Sequence, residues 1–250
     1  MSSKGKFLSL LGPAVVAGVA YLDPGNVATN LTAGTHYGYL LLWVLVAANL
    51  IAWLVQYLAA KLGLASNKSL SRIMGERITS PFGRFLYWLQ AQLVAIATDL
   101  AELIGGAVAL NLLFGWPLLA GCLATAVVST GLLYLKARGG AKTFEYLIFG
   151  LIVMTSIGFI SAISAWTPQA GEFLTGLTPR LTNTESAVIA LGILGATIMP
   201  HAVYVHSALS RDRLGVISPK SNNQKLLRII KWDVSLAMFI AGTVNIALLI

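Results

Sequence analysis

The fold is decided by two short stretches of sequence, Asp23-Pro24-Gly25-Asn26 and Met199-Pro200-His201. Each stretch places a proline beside polar or sulfur-bearing side chains within a long apolar segment. Proline lacks a backbone N–H and clashes with the preceding turn, so a helix stops there and restarts. In hydrocarbon, freed carbonyl groups and a buried carboxylate are costly unless they line a cavity or hold something. Two such interruptions predict a binding site between them.

The composition is that of a helical membrane protein. Of the 250 residues, 57% are hydrophobic and 10% are charged, and the mean hydropathy is +0.79. Most apolar segments reach the roughly 20 residues that cross a bilayer. The predicted spans are Phe7–Thr35, Tyr39–Ala60, Phe85–Phe114, Leu118–Leu135, Tyr146–Ala165, Ala187–Ala208 and Val234–Ile250. The predicted fold class is therefore an all-α polytopic membrane protein of about seven helices.

The basic residues predict an orientation. With a cytoplasmic N-terminus, 16 of the 17 lysines and arginines fall on the cytoplasmic side and only Arg180 falls outside. Short loops favour a bacterial inner membrane. The net charge of +8 is thus a topology signal first, anionic lipid contact is secondary, and no nucleic-acid partner is expected. The chain ends inside an apolar run, so we expect it to be the N-terminal portion of a longer protein.

The first interruption offers hard oxygen donors. We expect Pro24 to end the incoming half-helix and Gly25 to permit a sharp change of direction. The Asp23 carboxylate, the Asn26 amide oxygen and the freed Ala20 carbonyl then converge, and such oxygen atoms suit a divalent cation. The alternative is that Asn26 only caps the outgoing helix and Asp23 pairs with a cation-bearing residue elsewhere.

The second interruption adds a soft donor. The Met199 thioether favours Mn, Fe, Co or Cd ions over Ca or Mg, although a methionine in an apolar helix is often only filler. Ala196, one turn earlier, offers a freed carbonyl as Ala20 does. His201 adjoins the break beside Pro200 and can titrate near neutral pH, which favours a role in proton transfer or gating.

Two further carboxylates lie deep in apolar sequence. Asp99 and Glu102 are three residues apart and share one helix face. Because two neighbouring carboxylates repel each other, at least one is expected to hold a proton, which suits a proton route. A static polar network between helices is the alternative.

Three other functions are possible for such a chain, and the sequence argues against each of them. An amino-acid or organocation carrier on the same fold is disfavoured because Asp23 is acidic where a substrate carboxylate would bind. A membrane metalloenzyme is disfavoured because the chain lacks a His-Glu-x-x-His pair and a Gly-x-Ser-x-Gly elbow, so we expect no enzyme. A purely structural protein is disfavoured by the cost of the buried carboxylates and helix breaks.

The chain resembles the Nramp family of proton-coupled divalent metal ion transporters. The matching stretches are Gly12-Pro13-Ala14, Asp23-Pro24-Gly25-Asn26 with Ala28-Thr29-Asn30, Ala97-Thr98-Asp99-Leu100-Ala101-Glu102 and Gly195-Ala196-Thr197-Ile198-Met199-Pro200-His201. The resemblance implies a LeuT-type fold of two inverted five-helix repeats, with the first and sixth helices unwound at mid-membrane. Residues 1–165 would be the first repeat, and residues 166–250 would begin the second.

The resemblance also implies the roles of the site residues. Metal ligation falls to Asp23, Asn26, Met199 and the carbonyl groups of Ala20 and Ala196, and the proton pathway falls to Asp99, Glu102 and His201. The implied activity is uptake of Mn(II) or Fe(II), also Co(II) and Cd(II), with protons as co-substrate and no permanent cofactor. The family's eighth to tenth helices are absent from these 250 residues, so we expect the chain alone not to transport.

Overall fold

The computed structural model describes residues 14, 19–164, 170–214 and 223–250, almost all of them helical. A 3₁₀ turn (Val19–Leu22) leads into α1 (Pro24–Tyr37), and a second 3₁₀ turn (Gly38–Leu41) leads into α2 (Leu42–Ser66) and α3 (Leu70–Arg77). The later helices are α4 (Pro81–Phe114), α5 (Leu118–Ser164), α6 (Ala170–Gly176), α7 (Thr184–Thr197), α8 (Pro200–Leu214) and α9 (Asn223–Leu249).

Five helical stretches are long and apolar enough to cross a membrane. They are Pro24–Ser66, Pro81–Phe114, Leu118–Leu135, Thr184–Arg213 and Gln224–Leu249. The predicted all-α membrane class is confirmed. The first of these stretches contains both α1 and α2, and the fourth contains both α7 and α8. The start of the first predicted span, from Phe7, lies largely outside the described residues.

The predicted spans Leu118–Leu135 and Tyr146–Ala165 imply a loop between them, and this prediction is wrong. Helix α5 runs through it without a break for 47 residues, from Leu118 to Ser164. The basic segment has no proline, and its alanine, lysine and arginine residues are good helix formers, although Gly139 and Gly140 each disfavour a helix by about 1 kcal/mol relative to alanine. Charge therefore marks where a span ends but does not end the helix.

The chain divides into two compact units. The first comprises Met1–Thr79 with Ile152–Ile250, and the second comprises Ser80–Leu151. This division follows spatial proximity, whereas the predicted boundary at residue 165 follows repeat symmetry, so that boundary stays a prediction.

In the first unit, α2 is the central helix, and α7, α8 and α9 pack against it. Close approach depends on small residues: a Cβ atom on Gly63 would collide with the Ser207 carbonyl oxygen of α8. The core includes Leu64 of α2 and Val234 of α9, both fully buried. Helix α1 packs on α7 and α9, which brings the two predicted interruptions onto neighbouring elements.

The short helix α3 follows α2 and lies outside the candidate membrane spans. Its Glu76 carboxylate accepts hydrogen bonds from the Lys68 ammonium and from the Arg72 guanidinium, the latter at 3.1 Å. These bonds, with Lys68 contributing most, hold the pKa of Glu76 below its usual range.

The second unit is a helical hairpin of α4 and the first part of α5. Its turn uses Gly115 at a positive φ of 68°. Small residues let the two helices approach, because a Cβ atom on Gly121 would meet Ala107 of α4 at 2.8 Å. The thiol of Cys122 faces the Leu103 carbonyl oxygen at 3.8 Å and is half-buried, which agrees with a packed thiol.

Candidate metal-binding site

The first interruption lies between the 3₁₀ turn and α1, as predicted. Asp23 is the N-cap of α1 in an extended conformation, and Pro24 occupies the first turn, where no N–H is needed. An Ala20 carbonyl in a continuous helix would accept from the N–H of residue 24, but that residue is proline. The break therefore leaves this carbonyl oxygen without its usual helical partner.

Gly25 serves a purpose other than the predicted change of direction. Its backbone belongs to the first turn of α1, and the glycines with positive φ in the described chain are Gly38 and Gly115. A Cβ atom at Gly25 would lie 3.1 Å from Oδ2 of Asp23. The glycine thus leaves room beside the carboxylate.

The second interruption lies between α7 and α8, also as predicted. Helix α7 ends at Thr197, Ile198 leaves helical geometry at φ −100° and ψ 78°, and Pro200 begins α8. The Ala196 carbonyl would accept from the N–H of residue 200, which is again a proline. The same four-residue offset thus frees one carbonyl at each break.

Asn26 joins the two breaks. Its backbone N–H and its side-chain Nδ2 both donate to Oδ1 of Asp23, at 2.8 Å and 2.7 Å. The same Nδ2 also donates to the freed carbonyl oxygen of Ala196 at 2.8 Å. Oδ1 of Asn26 accepts from the Thr197 hydroxyl at 3.2 Å. Asn26 and Thr197 are both fully buried, so the geometry is enclosed.

The cluster presents oxygen donors with a single negative charge, that of Asp23. A carboxylate oxygen and a backbone carbonyl oxygen converge on one N–H₂ group, which carries partial positive charge. No group of three or more histidine, cysteine or acidic side chains forms a metal cluster in the parts of the chain described here. Any ion held at this point would therefore depend on neutral amide, carbonyl and thioether donors besides Asp23.

The other expected metal ligands flank this cluster. Met199 follows Thr197 by two residues and is only 5% exposed. Ala20 is half-buried in the 3₁₀ turn, three residues before Asp23. The hydrogen bonds described here bring together Asp23, Asn26 and Ala196, whereas Met199 and Ala20 are placed beside them by the chain.

Comparison with known proteins identifies the family. The family profile described as natural resistance-associated macrophage protein-like, Nramp, matches residues 14–250. The chain belongs to the Nramp family. This is a family of transporters rather than of enzymes, and the candidate site residues described above lie within its matched region.

Named Nramp relatives are close in sequence and in structure. The divalent metal cation transporter MntH of Mycobacterium tuberculosis (strain ATCC 25618 / H37Rv) is 52% identical over 241 residues, which cover 96% of this chain and 56% of that protein. The MntH of Deinococcus radiodurans is 43% identical over 244 residues, covering 98% and 55%. A mutant of the Eremococcus coleocola manganese transporter superposes with a TM-score of 0.87 at 34% identity, covering 99% and 52%. The chain thus has the LeuT-type Nramp fold and spans about half the length of these relatives.

The Nramp resemblance assigns Asp99 and Glu102 to a proton pathway, and the structure places both on α4 in the second unit. Their side chains are exposed, whereas the sequence predicts burial. The reason is that the contacts of α4 with α5 lie nearer the turn, between residues 103–107 and 121–125. His201, the third expected member, is half-buried in the first turn of α8 in the first unit.

A buried polar chain near the first break escaped prediction. The Tyr21 hydroxyl accepts from Nε2 of Gln56 at 2.8 Å, and Oε1 of Gln56 lies 2.7 Å from Nδ1 of His206. The Tyr21 carbonyl oxygen accepts from Nδ2 of Asn245 at 3.1 Å. Asn245 in turn accepts from Nδ2 of Asn30 at 3.1 Å. The sequence signal for it is the presence of single polar amide residues within apolar helices. These hydrogen bonds hold Tyr21, and with it the 3₁₀ turn, against the neighbouring helices.

Proposed function

We propose that this protein takes up divalent transition-metal ions, namely Mn(II) and Fe(II) and also Co(II) and Cd(II), without altering them chemically. Uptake is coupled to inward proton flow. The observation that carries the proposal is the convergence of the Asp23 carboxylate and the Ala196 carbonyl on one amide group across two broken helices. Relatives named divalent metal cation transporter and manganese transporter support it. We expect the site to alternate in access between the two sides of the membrane.

Metal binding requires the Asn26 amide to turn over. Its Nδ2 group now faces Asp23 and Ala196, the oxygen atoms that would hold the ion. A half-turn of the amide replaces this N–H₂ with Oδ1, a suitable ligand for a hard divalent cation. Nδ2 would then face the Thr197 hydroxyl oxygen, which accepts when the one hydroxyl hydrogen is donated to the Ile193 carbonyl, 2.7 Å away, instead of to Asn26. Thr197 thus pairs with either orientation of the amide.

The Met199 thioether is the proposed source of selectivity. Calcium binds roughly six to eight oxygen ligands, and a sulfur ligand adds little to its affinity. Transition-metal ions, in contrast, accept a soft donor such as a thioether. The burial of Met199 keeps water away from its side chain. A transition-metal ion therefore gains a ligand here that calcium cannot use.

Proton coupling is proposed to combine competition with a separate pathway. A metal ligand must be deprotonated, so metal and proton compete for the Asp23 carboxylate. Asp99, Glu102 and His201 are proposed to carry the released protons, because chains of acidic residues and histidine serve this purpose within membranes. With a cytoplasmic N-terminus in a bacterial inner membrane, a negative interior assists uptake by about 2.3 kcal/mol per charge and 100 mV.

An amino-acid carrier fits the geometry less well. In such a protein a half-helix N-terminus holds the substrate carboxylate. Here the side chain of Asp23 already accepts the Asn26 backbone N–H at that end of α1. A second carboxylate at the same point would be repelled.

The test of the proposal uses Met199→Leu with calorimetric titration of Cd(II), Mn(II) and Ca(II). Leucine removes the sulfur while conserving volume, at a stability cost below about 1.5 kcal/mol. Alanine would leave a cavity costing about 2–5 kcal/mol. We expect Cd(II) affinity to fall most, Mn(II) affinity to fall less and discrimination against Ca(II) to shrink. Equal losses for the three ions would refute the soft-ligand assignment.

Coupled uptake is measured separately, in proteoliposomes with an imposed pH gradient, on a full-length Nramp transporter that contains these 250 residues, because we expect the 250-residue chain alone not to transport. We expect Mn(II) entry to rise when the outside is made acidic and to carry protons inward. Mn(II) entry without proton movement would contradict the coupling while leaving the metal site intact.

A further inference from the structure

A groove of about 560 Å³ lies between α2 and α9, outside the metal site described above. Its volume falls within the roughly 300–1,000 Å³ that small-ligand sites occupy. The lining residues are Tyr57 of α2 and Leu227, Arg228, Lys231, Trp232 and Ser235 of α9. The groove thus combines two cations with aromatic and apolar surface.

The two cations have no internal counter-ion among the residues that the structure describes. Arg228 and Lys231 are three residues apart on α9, so they share a face with Cβ atoms about 5–6 Å apart. The ion pairs found in that part of the chain involve neither of them. The neighbouring carboxylate, Asp233, is 3% exposed and accepts the Ala14 N–H at 2.9 Å. A pair of exposed cations therefore remains for an external anion.

Stacked aromatic rings lie beside the groove. The rings of Trp53 and Tyr57 stack with centroids 6.1 Å apart and planes 8° apart. The indole N–H of Trp53 donates to the Ser235 hydroxyl of α9 at 3.0 Å, which ties the wall to both helices. Trp232 is 62% exposed on the same groove. Tryptophan and tyrosine with an apolar body and a polar edge favour the headgroup level of a bilayer.

An apolar surface continues from the cations toward the middle of both helices. Leu236 and Phe239 follow Trp232 in steps of four and three residues, on one face of α9, and are 47% and 72% exposed. On the antiparallel α2, Leu54 precedes Tyr57 by three residues and is 48% exposed. A ligand anchored at the cations would therefore have an apolar surface for a long acyl chain.

We propose that this groove binds an anionic phospholipid, with its phosphate held by Arg228 and Lys231 and an acyl chain lying along Leu236 and Phe239. The two positive charges complement a phosphodiester, and Arg228 can pair with it through two N–H donors. A soluble phosphate compound would use the cations but not the apolar surface. The combination favours a lipid over a free anion.

The test is native mass spectrometry of the detergent-purified protein with dioleoyl phosphatidylglycerol and dioleoyl phosphatidylcholine, which differ only in headgroup. The variant is Arg228→Gln with Lys231→Gln, and the matched control is Lys61→Gln with Arg77→Gln, which removes the same charge from other exposed positions. We expect phosphatidylglycerol affinity to fall about thirtyfold in the first variant. Each cation near an anionic lipid surface contributes about 1 kcal/mol, and a change of about 1.4 kcal/mol in binding free energy is a tenfold change in Kd. The control should retain the affinity.

Three results would overturn the proposal. One is an equal loss in both variants, which would indicate diffuse electrostatic attraction. Another is equal binding of the two lipids to the unmodified protein. The third is displacement of phosphatidylglycerol by glycerol 3-phosphate, which would indicate a soluble anion as the ligand. Because all four substituted side chains are exposed, the helical content and thermal unfolding of both variants should match those of the unmodified protein. Quenching of tryptophan fluorescence by acyl-brominated phosphatidylglycerol locates the acyl chain of the lipid independently.

Discussion

Replacing Asp23 by asparagine separates the N-cap role, which the structure shows, from the metal-ligand role, which is proposed. As an N-cap, Oδ1 of Asp23 accepts the Asn26 backbone N–H at 2.8 Å and Nδ2 at 2.7 Å. Asparagine caps a helix about as well as aspartate and loses only the favourable charge at the helix N-terminus, about 0.3–1 kcal/mol. As a metal ligand, asparagine lacks the only carboxylate of the cluster. Stability should therefore change little while metal binding is lost.

The size of the binding loss follows from the ligand's position. Removing a partner that only orients a metal ligand costs about 10–100-fold in affinity, so loss of the charged ligand itself should exceed about 100-fold. At a Cd(II) concentration of 100 times Kd, the unmodified protein should gain about 2.7 kcal/mol of stability. At the same concentration, Asp23→Asn should gain less than about 0.4 kcal/mol.

The assay is thermal unfolding of the detergent-purified protein with and without Cd(II), beside calorimetric titration. Asp23→Ala is the matched variant, because it also removes the cap and should lower stability by about 0.5–2 kcal/mol without metal. Cd(II) affinity within tenfold of the unmodified value in Asp23→Asn would refute ligation by the carboxylate. A metal-free stability of Asp23→Asn as low as that of Asp23→Ala would refute the capping argument.

Three other changes test the surrounding structure. Gly25→Ala places a Cβ atom 3.1 Å from Oδ2 of Asp23. It should weaken Cd(II) binding without lowering stability, because alanine is the better helix former by about 1 kcal/mol. An unchanged Kd for Cd(II) would contradict crowding of the carboxylate. Gly63→Ala forces a Cβ atom into the Ser207 carbonyl oxygen and should cost about 1–3 kcal/mol by overpacking; a melting temperature equal to that of the unmodified protein would show that α2 and α8 can separate freely. Because the pKa of Glu76 is lowered, its ion pairs stabilise the folded protein fully above pH 4.5, and this stabilisation is lost as the pH falls below that value. The difference in free energy of unfolding between the unmodified protein and Glu76→Gln should therefore vanish in acid. A difference that does not depend on pH would exclude a contribution from the ion pairs.

Both helix breaks could be predicted from the sequence because their cause is local. Pro24 and Pro200 have no N–H for the carbonyl groups four residues earlier, which belong to Ala20 and Ala196. Short-range chemistry therefore identifies the freed oxygen atoms without knowledge of the fold.

The arrangement between the breaks could not be predicted in the same way. The bond from Asn26 to Ala196 joins residues 170 positions apart, so it depends on how α1 packs on α7. The orientation of the Asn26 amide depends on a third residue, Thr197, which lies within a matching stretch but is not among the expected site residues. The loop expected after Leu135 failed for a different reason, because clustered basic residues are compatible with a continuous helix.

The exposed pair on α4 shows a further limit of sequence reasoning. Hydropathy places Asp99 and Glu102 in an apolar segment, but it does not reveal which neighbour covers them. The contacts of α4 with α5 lie nearer their turn, and the two carboxylates are exposed. Their proposed part in proton movement therefore depends on packing that periodicity alone does not specify.

The most direct test of the central claim is X-ray absorption spectroscopy of the Cd(II)-bound protein at the cadmium edge. The proposed site predicts one sulfur scatterer from Met199 together with oxygen ligands, and loss of the sulfur shell alone in Met199→Leu. A coordination shell without sulfur in the unmodified protein, or one containing histidine nitrogen, would contradict a site formed by Asp23, Asn26 and Met199 between the two broken helices.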